Sequence, residues 1–157
     1  MPTLIQNRGT RQNRGGYNVA RTTATPPATT ATAYFTVATG RCVVSMLVGE
    51  VTTVIQTQAC NLKVTVNPTT GNSWDVAANL NITADAVGTY YLVEGDGTAL
   101  VAQYGGEGSG GANFAILLPF IVPPGTIDFE TSATNTGSIK WDLFYWPIDD
   151  EAAITAA

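Results

Sequence analysis

The sequence predicts an all-β protein, an antiparallel β-sandwich that follows an extended N-terminal arm. Apolar and polar residues alternate with a period of two from Tyr34 to Trp146, as expected of strands with one buried face. Clusters of Gly, Pro, Asn and Asp recur about every eight to twelve residues along this stretch, a spacing typical of β-sandwiches. Strand-favouring residues outnumber helix signals throughout.

Charge separates a basic arm from an acidic body. Four of the seven basic residues lie in the opening part of the chain: Arg8, Arg11, Arg14 and Arg21. No Asp or Glu precedes Glu50, and all twelve acidic residues follow Tyr34. We interpret residues 1–32 as an extended arm, because its Gly, Thr and Pro bury too little apolar surface to fold alone. We expect its arginines to bind carboxylates of a partner through charge-assisted hydrogen bonds.

The body, residues 33–148, divides into short strands separated by turns. The predicted strands are residues 34–37, 41–48, 51–55 (a continuation or return past Gly49), 62–66, 74–83, 89–94, 99–104, 114–122, 126–132 and 138–146. Pro68 ends one strand, and Gly95-Asp96-Gly97 joins two others as a hairpin. Residues 149–157 are predicted to be a short acidic tail, the one place where a helical end could form.

These elements predict a jelly-roll-like sandwich, with an up-and-down barrel as the alternative. Charged residues make up only 12% of the chain, about half the usual share, which indicates a surface largely covered by neighbours. The ordinary alternative is a Thr-rich β-protein with no partner.

The acidic balance limits the partners of the body. Because the whole chain has a net charge of −5 and the acidic residues all follow the arm, we expect the body to bind neither nucleic acid nor an anionic membrane. The Gly-Arg pattern of the arm is similar to RNA-binding segments, but it lacks their length and their interleaved aromatic residues. The opening residues Met1 to Asn7 do not resemble a secretory signal, so we expect no export by that route.

The cysteines favour a structural role. Cys42 and Cys60 are interpreted as small buried apolar side chains in neighbouring strands, with a disulfide between them as the alternative.

No motif indicates catalysis, a cofactor or a metal site. The chain contains no His, which excludes Ser-His and Cys-His nucleophile pairs. The Gly-rich stretch 105–111 lacks the Lys-Ser/Thr ending of a phosphate-binding loop. Acidic turns at Glu94/Asp96 and at 149–151 could hold calcium, but neither matches an EF-hand. A hydrolase with two converging carboxylates stays a minor alternative.

The aromatic residues near the C-terminus point to an interface. Trp141 and Tyr145 share one face of the last predicted strand, and Phe144 and Trp146 share the other. One face must be core, so the other presents aromatic rings to a partner or to a sugar; we favour burial within an oligomer. The candidate interface residues are Trp74, Trp141, Phe144 and Trp146.

Four phrases of the sequence resemble small β-rich virion proteins of tailed bacteriophages. They are residues 40–53 (GRCVVSMLVGEVTT), 67–71 (NPTTG), 122–128 (VPPGTID) and 132–141 (SATNTGSIKW). The likeness extends over about residues 33–148 and includes no catalytic signature. Proteins of this kind are head decoration (cement) proteins or minor tail components.

The resemblance implies a virion structural protein that is assembled in the host cytoplasm and has no enzymatic activity. Its expected partners are copies of itself, as a trimer, and the major capsid or tail protein. The alternative is a carbohydrate-binding adsorption module of the tail or fibre, which would need exposed tryptophans.

Overall fold

The computed structural model describes residues 16–93 and 119–157, and the backbone of residues 101–104. These residues form eleven strands and no helix. The strands are β1 (Tyr17–Ala24), β2 (Thr32–Ala38), β3 (Cys42–Thr53), β4 (Asn61–Pro68), β5 (Trp74–Asn81), β6 (Thr89–Val93), β7 (Val101–Tyr104), β8 (Phe120–Val122), β9 (Gly125–Thr131), β10 (Ser138–Pro147) and β11 (Ala153–Ala156). The all-β prediction is confirmed. In the described ranges, no helix is long and apolar enough to cross a membrane.

The strands form two antiparallel sheets that pack face to face. The first sheet has the order β1-β10-β3-β6-β7, and β8 pairs with the same edge of β3 as β6 does. The second sheet has the order β11-β2-β9-β4-β5. The path β1-β10-β3-β6 opposite β2-β9-β4-β5 is the strand order of a jelly roll, since successive strands repeatedly change sheets. The jelly-roll-like prediction is confirmed, and the up-and-down barrel is excluded.

The core lies between the sheets and is built by alternation along each strand. In β4, buried Leu62, Val64 and Val66 alternate with more exposed neighbours, and β10 alternates in the same way. Aromatic rings join the two sheets: the centroid of Phe129 lies 4.5 Å from that of Trp141. Fully burying side chains of this size contributes about 1.5–3 kcal/mol each, so these contacts hold the sandwich together.

Gly49 makes room for the largest core side chain. It is paired in register with Trp141, and a Cβ atom at Gly49 would lie 2.8 Å from two atoms of the indole ring. The absence of a side chain at this position therefore lets the Trp141 ring lie flat against β3. The two strands predicted on either side of Gly49 are one continuous strand, β3.

Part of the predicted arm belongs to the sandwich. Residues 17–24 form β1, an edge strand paired antiparallel with β10, so the arm does not extend to residue 32 outside the body. A polar strand is tolerated there because an edge strand is less covered by the opposite sheet than a central strand is, and Val19 packs, partly buried, against the core. Arg8, Arg11 and Arg14 lie outside the described residues.

The C-terminal residues also belong to a sheet. Ala153–Ala156 form β11, which pairs antiparallel with β2, so the helical end that the sequence allowed does not form, and these residues are not a tail outside the body. Pairing with an exposed strand edge outweighed the weak helical preference of a few Ala and Glu residues. The hairpin of β6 and β7 is confirmed by their pairing, while its turn at 95–97, the Gly-rich stretch 105–111, and Glu94 and Asp96 lie outside the described residues.

Both cysteines are buried and free, as the favoured interpretation held. Cys42 begins β3 in the first sheet, and Cys60 precedes β4 in the second, so they are not in neighbouring strands of one sheet. Burial raises the pKa of the Cys42 thiol, which keeps it in the neutral, unreactive form.

Candidate assembly interface

The strand β10 divides its side chains between the core and the outer surface. Trp141 and Tyr145 point between the sheets, whereas Phe144 and Trp146 point away from them. The predicted sharing of faces is confirmed. Trp141 is only 1% exposed, however, so its assignment as an interface residue is wrong. Alternation along a strand identifies two faces without saying which one is inside.

Five apolar side chains form a contiguous surface on the outer face of the first sheet, here called the aromatic patch. They are Phe144 and Trp146 of β10, Val43 and Met46 of β3, and Ile121 of β8. In register, Trp146 is beside Val43, Val43 is beside Ile121, and Phe144 is beside Met46. Directly opposed residues have Cβ atoms about 4.5–5.5 Å apart, so the five side chains form one surface.

A bulge in β3 brings two of these side chains to the same face. Val43 and Met46 are three positions apart, and strict alternation would place them on opposite faces. The register shifts between Phe144 and Tyr145, where Ser45 is the extra residue and its hydroxyl donates to the Phe144 carbonyl at 3.1 Å. The patch could therefore not be read from the period of two.

The aromatic patch is open to solvent in the single chain. Ile121 is 57% exposed and Trp146 is 38% exposed, while Val43, Met46 and Phe144 are half-buried. Single exposed apolar residues are ordinary on protein surfaces, whereas a contiguous group is a candidate site of interaction. The sequence analysis identified Phe144 and Trp146 as interface candidates and did not identify Val43, Met46 or Ile121. The apolar run around Ile121 was a sequence signal that could have pointed to that residue.

Charged side chains border the patch along the sheet. Lys140 and Asp142 precede Phe144 on the outer face of β10, and the Lys140 Nζ lies 3.4 Å from the Asp142 Oδ2. Glu50 lies opposite Lys140 on β3, and Tyr90, 41% exposed, lies beside Glu50 on β6. An apolar centre with a polar rim is the usual composition of a protein–protein interface.

The outer face of the second sheet is polar. It presents Lys63 of β4, Asp75 of β5, and Asp128 and Glu130 of β9, together with Asn67 of β4; these five residues are here called the acidic face. The Lys63 Nζ lies 3.0 Å from the Asp75 Oδ1, although Glu130 is its direct neighbour in register. A groove of about 260 Å³ beside them is lined by Asn61, Lys63, Asn79, Glu130 and Ser132. The two outer faces thus differ completely in chemistry.

Arg21 is engaged within its own chain. Its Nη1 donates to the Ala157 carbonyl at 2.6 Å, and its guanidinium lies 3.8 Å from the centroid of the Tyr34 ring. Burial raises the pKa of Tyr34, and the nearby Arg21 opposes that shift. Arg21 therefore joins β1 to the end of β11 at one edge of the sandwich, which does not agree with its predicted role in binding a partner.

Trp74 is set apart from the aromatic patch. It begins β5, the edge strand of the second sheet, in register with buried Val66, and it is 40% exposed. Its ring therefore lies on the core side of that sheet at an open edge. Trp74 and Trp146 belong to different sheets, so they do not form one stacking platform for a sugar.

An ion pair anchors the acidic turn before β11. Asp149 accepts bonds from the Arg41 side chain at 2.7 and 2.9 Å and from the Arg41 backbone at 2.8 Å. The hydrogen bonds from Arg41 lower the pKa of Asp149 from 3.8 to about 2. Asp150 and Glu151 are exposed beside it, at the rim of a groove of about 400 Å³ that Tyr17 and Tyr145 also line.

Across the described residues, no group of three His, Cys, Asp or Glu side chains is placed to hold a metal ion. A comparison of the chain with known protein families, with curated proteins and with solved structures finds no match. The surfaces of the molecule itself are therefore the guide to its function.

Proposed function

We propose that the protein is a structural component of a tailed-bacteriophage virion, most simply a decoration (cement) protein that stabilises the head. The observation that carries this proposal is the aromatic patch on the outer face of the first sheet. The sequence resemblance to small phage virion proteins supplies the context, and the jelly roll is compatible with it. Jelly rolls also occur in lectins and enzymes, so the fold alone does not decide the function.

The patch supports self-association of the body. Ile121 and Trp146 are large apolar side chains that gain about 25 cal/mol for each Å² removed from water. Burial of these side chains against another copy would bury the outer face of β10 as well as its inner face, as the sequence analysis expects for an oligomer. The low content of charged residues, 12%, supports the same conclusion, since a protein surrounded by neighbours needs less charge for solubility.

Closed symmetry suits such a surface. Copies related by a rotation axis can bury the patch of every subunit and leave none to recruit further copies. The opposite charges of Lys140 and Asp142 at its border would meet the same pair of a neighbour and favour one arrangement over others. We propose a trimer, with surfaces outside the patch left to contact the major capsid or tail protein.

The first test is the oligomeric state of the full chain. We expect native mass spectrometry to show a trimer, and we expect Ile121→Asp to weaken association about thirtyfold or more, as loss of a central anchor does. Val87→Asp is the matched control, because Val87 is 55% exposed but lies outside the patch. A monomeric wild-type chain, or equal effects of both substitutions, would contradict self-association through the patch.

The second test is the location of the protein. Quantitative mass spectrometry of purified virions measures its copies relative to the major capsid protein. A copy number comparable with that protein is expected for head decoration, whereas a small fixed number would place it in the tail. Absence from virions would overturn the proposal.

An adsorption module remains the second candidate because Trp74 and Trp146 are both partly exposed. Aromatic rings at a surface can stack on sugar rings. Binding to a glycan array that is lost in Trp74→Ala or Trp146→Ala would favour this function. Silence on the array, with an intact oligomer, would favour assembly.

A further inference from the structure

Asp128 is unsatisfied in the single chain. It lies on the outer face of β9, yet it is only 8% exposed. Its Oδ2 accepts a hydrogen bond from the Asn67 side chain at 3.2 Å, while its buried Oδ1 has no hydrogen-bond partner among the described residues. A buried carboxylate oxygen without a donor is unfavourable, because desolvation is not compensated. This oxygen has almost no surface open to solvent, so a donor from another molecule can reach it only after the Asp128 side chain turns outward.

The surroundings of Asp128 favour a cationic donor. Three carboxylates of the acidic face are accompanied by a single ammonium group, that of Lys63, which is bound to Asp75. Glu130 lies two residues from Asp128 on the same side of β9, about 7 Å away. Side-chain amides of Asn61 and Asn79 line the adjoining groove and can both donate to and accept from an extended backbone.

We propose that the acidic face binds the basic N-terminal segment of a second copy, residues 1–15, and this inference rests on the proposed assembly function. The segment contains Arg8, Arg11 and Arg14 and no acidic residue. A guanidinium group carries several N–H donors and matches a carboxylate in a forked geometry. One of these arginines donates to Asp128 in the complex, after the side-chain shift that uncovers Oδ1.

The N-terminal segment starts at the sheet opposite the acidic face of its own chain. The described chain begins at Gly16, whose Cα packs against the Tyr145 carbonyl in the first sheet. The acidic face is on the outside of the opposite sheet, so the chain's own segment would have to pass around the sandwich. Fifteen extended residues span at most about 50 Å, which is enough to reach an adjacent subunit.

The acidic cluster at residues 149–151 is a weaker acceptor of hydrogen bonds from an arginine. Both carboxylate oxygens of Asp149 are already bound by Arg41. Asp150 and Glu151 are exposed, and ion pairs in water contribute little. Asp150 and Glu151 are therefore a control for Asp128 and Glu130, because the two pairs carry the same charge and Asp150 and Glu151 lie in solvent.

Crosslinking in the full chain tests the contact. Full-length Gln12→Cys and full-length Asn79→Cys are mixed and treated with a short bismaleimide; Cys42 and Cys60 are buried in both. We expect a crosslinked dimer joining residue 12 of one chain to residue 79 of the other, identified by mass spectrometry of peptides. Adding Asp128→Asn with Glu130→Gln to the Asn79→Cys chain is expected to lower the yield about tenfold or more. Adding Asp150→Asn with Glu151→Gln should leave it unchanged.

Three results would overturn the inference. They are no crosslink, an equal loss of yield in both pairs of substitutions, and a crosslink that forms only within one chain when Gln12→Cys and Asn79→Cys are combined. Thermal unfolding of each variant verifies that it is folded. Native mass spectrometry separates this inference from the proposed function: an intact oligomer without the crosslink contradicts only the arm contact, whereas a monomeric wild-type chain contradicts self-association itself.

Discussion

The two outer faces of the sandwich are built from the same kind of strand, but one carries an apolar patch and the other carries acidic residues. The first sheet presents the aromatic patch, with Ile121 and Trp146 in contact with solvent, while the second presents the acidic face around Asp128. A soluble antiparallel sheet normally has one apolar face toward the core and one polar face toward water. The second sheet follows this rule and the first does not. This difference is the basis of our proposal that another molecule covers the outer face of the first sheet.

The largest effect is expected from comparing two tryptophans of β10. Trp141→Ala removes a fully buried ring and should lower the free energy of unfolding by about 3–5 kcal/mol. Trp146→Ala should change the unfolding of the dissociated chain by about 0.5 kcal/mol or less, since its ring is at the surface. Denaturant titration at low protein concentration measures both. A large loss in Trp146→Ala would mean that this side chain serves the fold and not an interface.

Gly49→Ala tests the packing on the inner face of β3, the strand whose outer face carries Met46. The added methyl group would lie within 2.9 Å of three atoms of the rigid Trp141 ring. Overpacking of this kind costs about 1–3 kcal/mol, with no direct effect on the aromatic patch. Unfolding by urea gives the magnitude, and the double variant with Trp141→Phe should recover part of it. An unchanged stability would mean that the ring can move away freely.

Asn67→Ala examines the acidic face. It removes the donor to the Asp128 carboxylate, so we expect a loss of about 1 kcal/mol, at the low end of the range for an unsatisfied buried acceptor. Asn79→Ala, on the same face but without this bond, is the control and should be near neutral. The loss should become smaller in a background of Asp128→Asn, because the buried charge is then absent. Equal effects in both backgrounds would argue against an uncompensated carboxylate.

The smallest effect is expected at the Arg41–Asp149 pair, and it should depend on pH. The pKa of Asp149 is lowered to about 2 in the folded chain from an ordinary 3.8, so the folded state favours the ionised carboxylate. The resulting stability is fully present above the ordinary value and is lost as the pH falls through about 2. The stability difference between the wild type and Asp149→Asn should therefore shrink between about pH 5 and pH 2. Asp150→Asn, measured alongside, should show less change, and a difference independent of pH would contradict the role of the ion pair.

Local patterns were sufficient for the fold class and for part of the interface. The period of two along β10 correctly separated Trp141 from Phe144 and Trp146, because successive side chains of a strand must point to opposite faces. The same pattern did not say which face was inside, so Trp141 was kept among the interface candidates although it is buried in the core. It also failed across the bulge at Ser45, where one extra residue moves Met46 to the face of Val43.

The sequence by itself determined the all-β class, the antiparallel β-sandwich and the separation of a basic opening segment from an acidic body. These follow from local alternation, turn residues and charge, which each stretch of chain carries independently of the others. Only the tertiary structure decided that residues 17–24 and 153–156 join the sheets, that Ile121 lies beside Val43 and Trp146, and that Asp128 is buried without a full set of partners. Strands become neighbours in a sheet through hydrogen bonds between residues far apart in the chain. The local alternation of apolar and polar residues carries no information about this pairing.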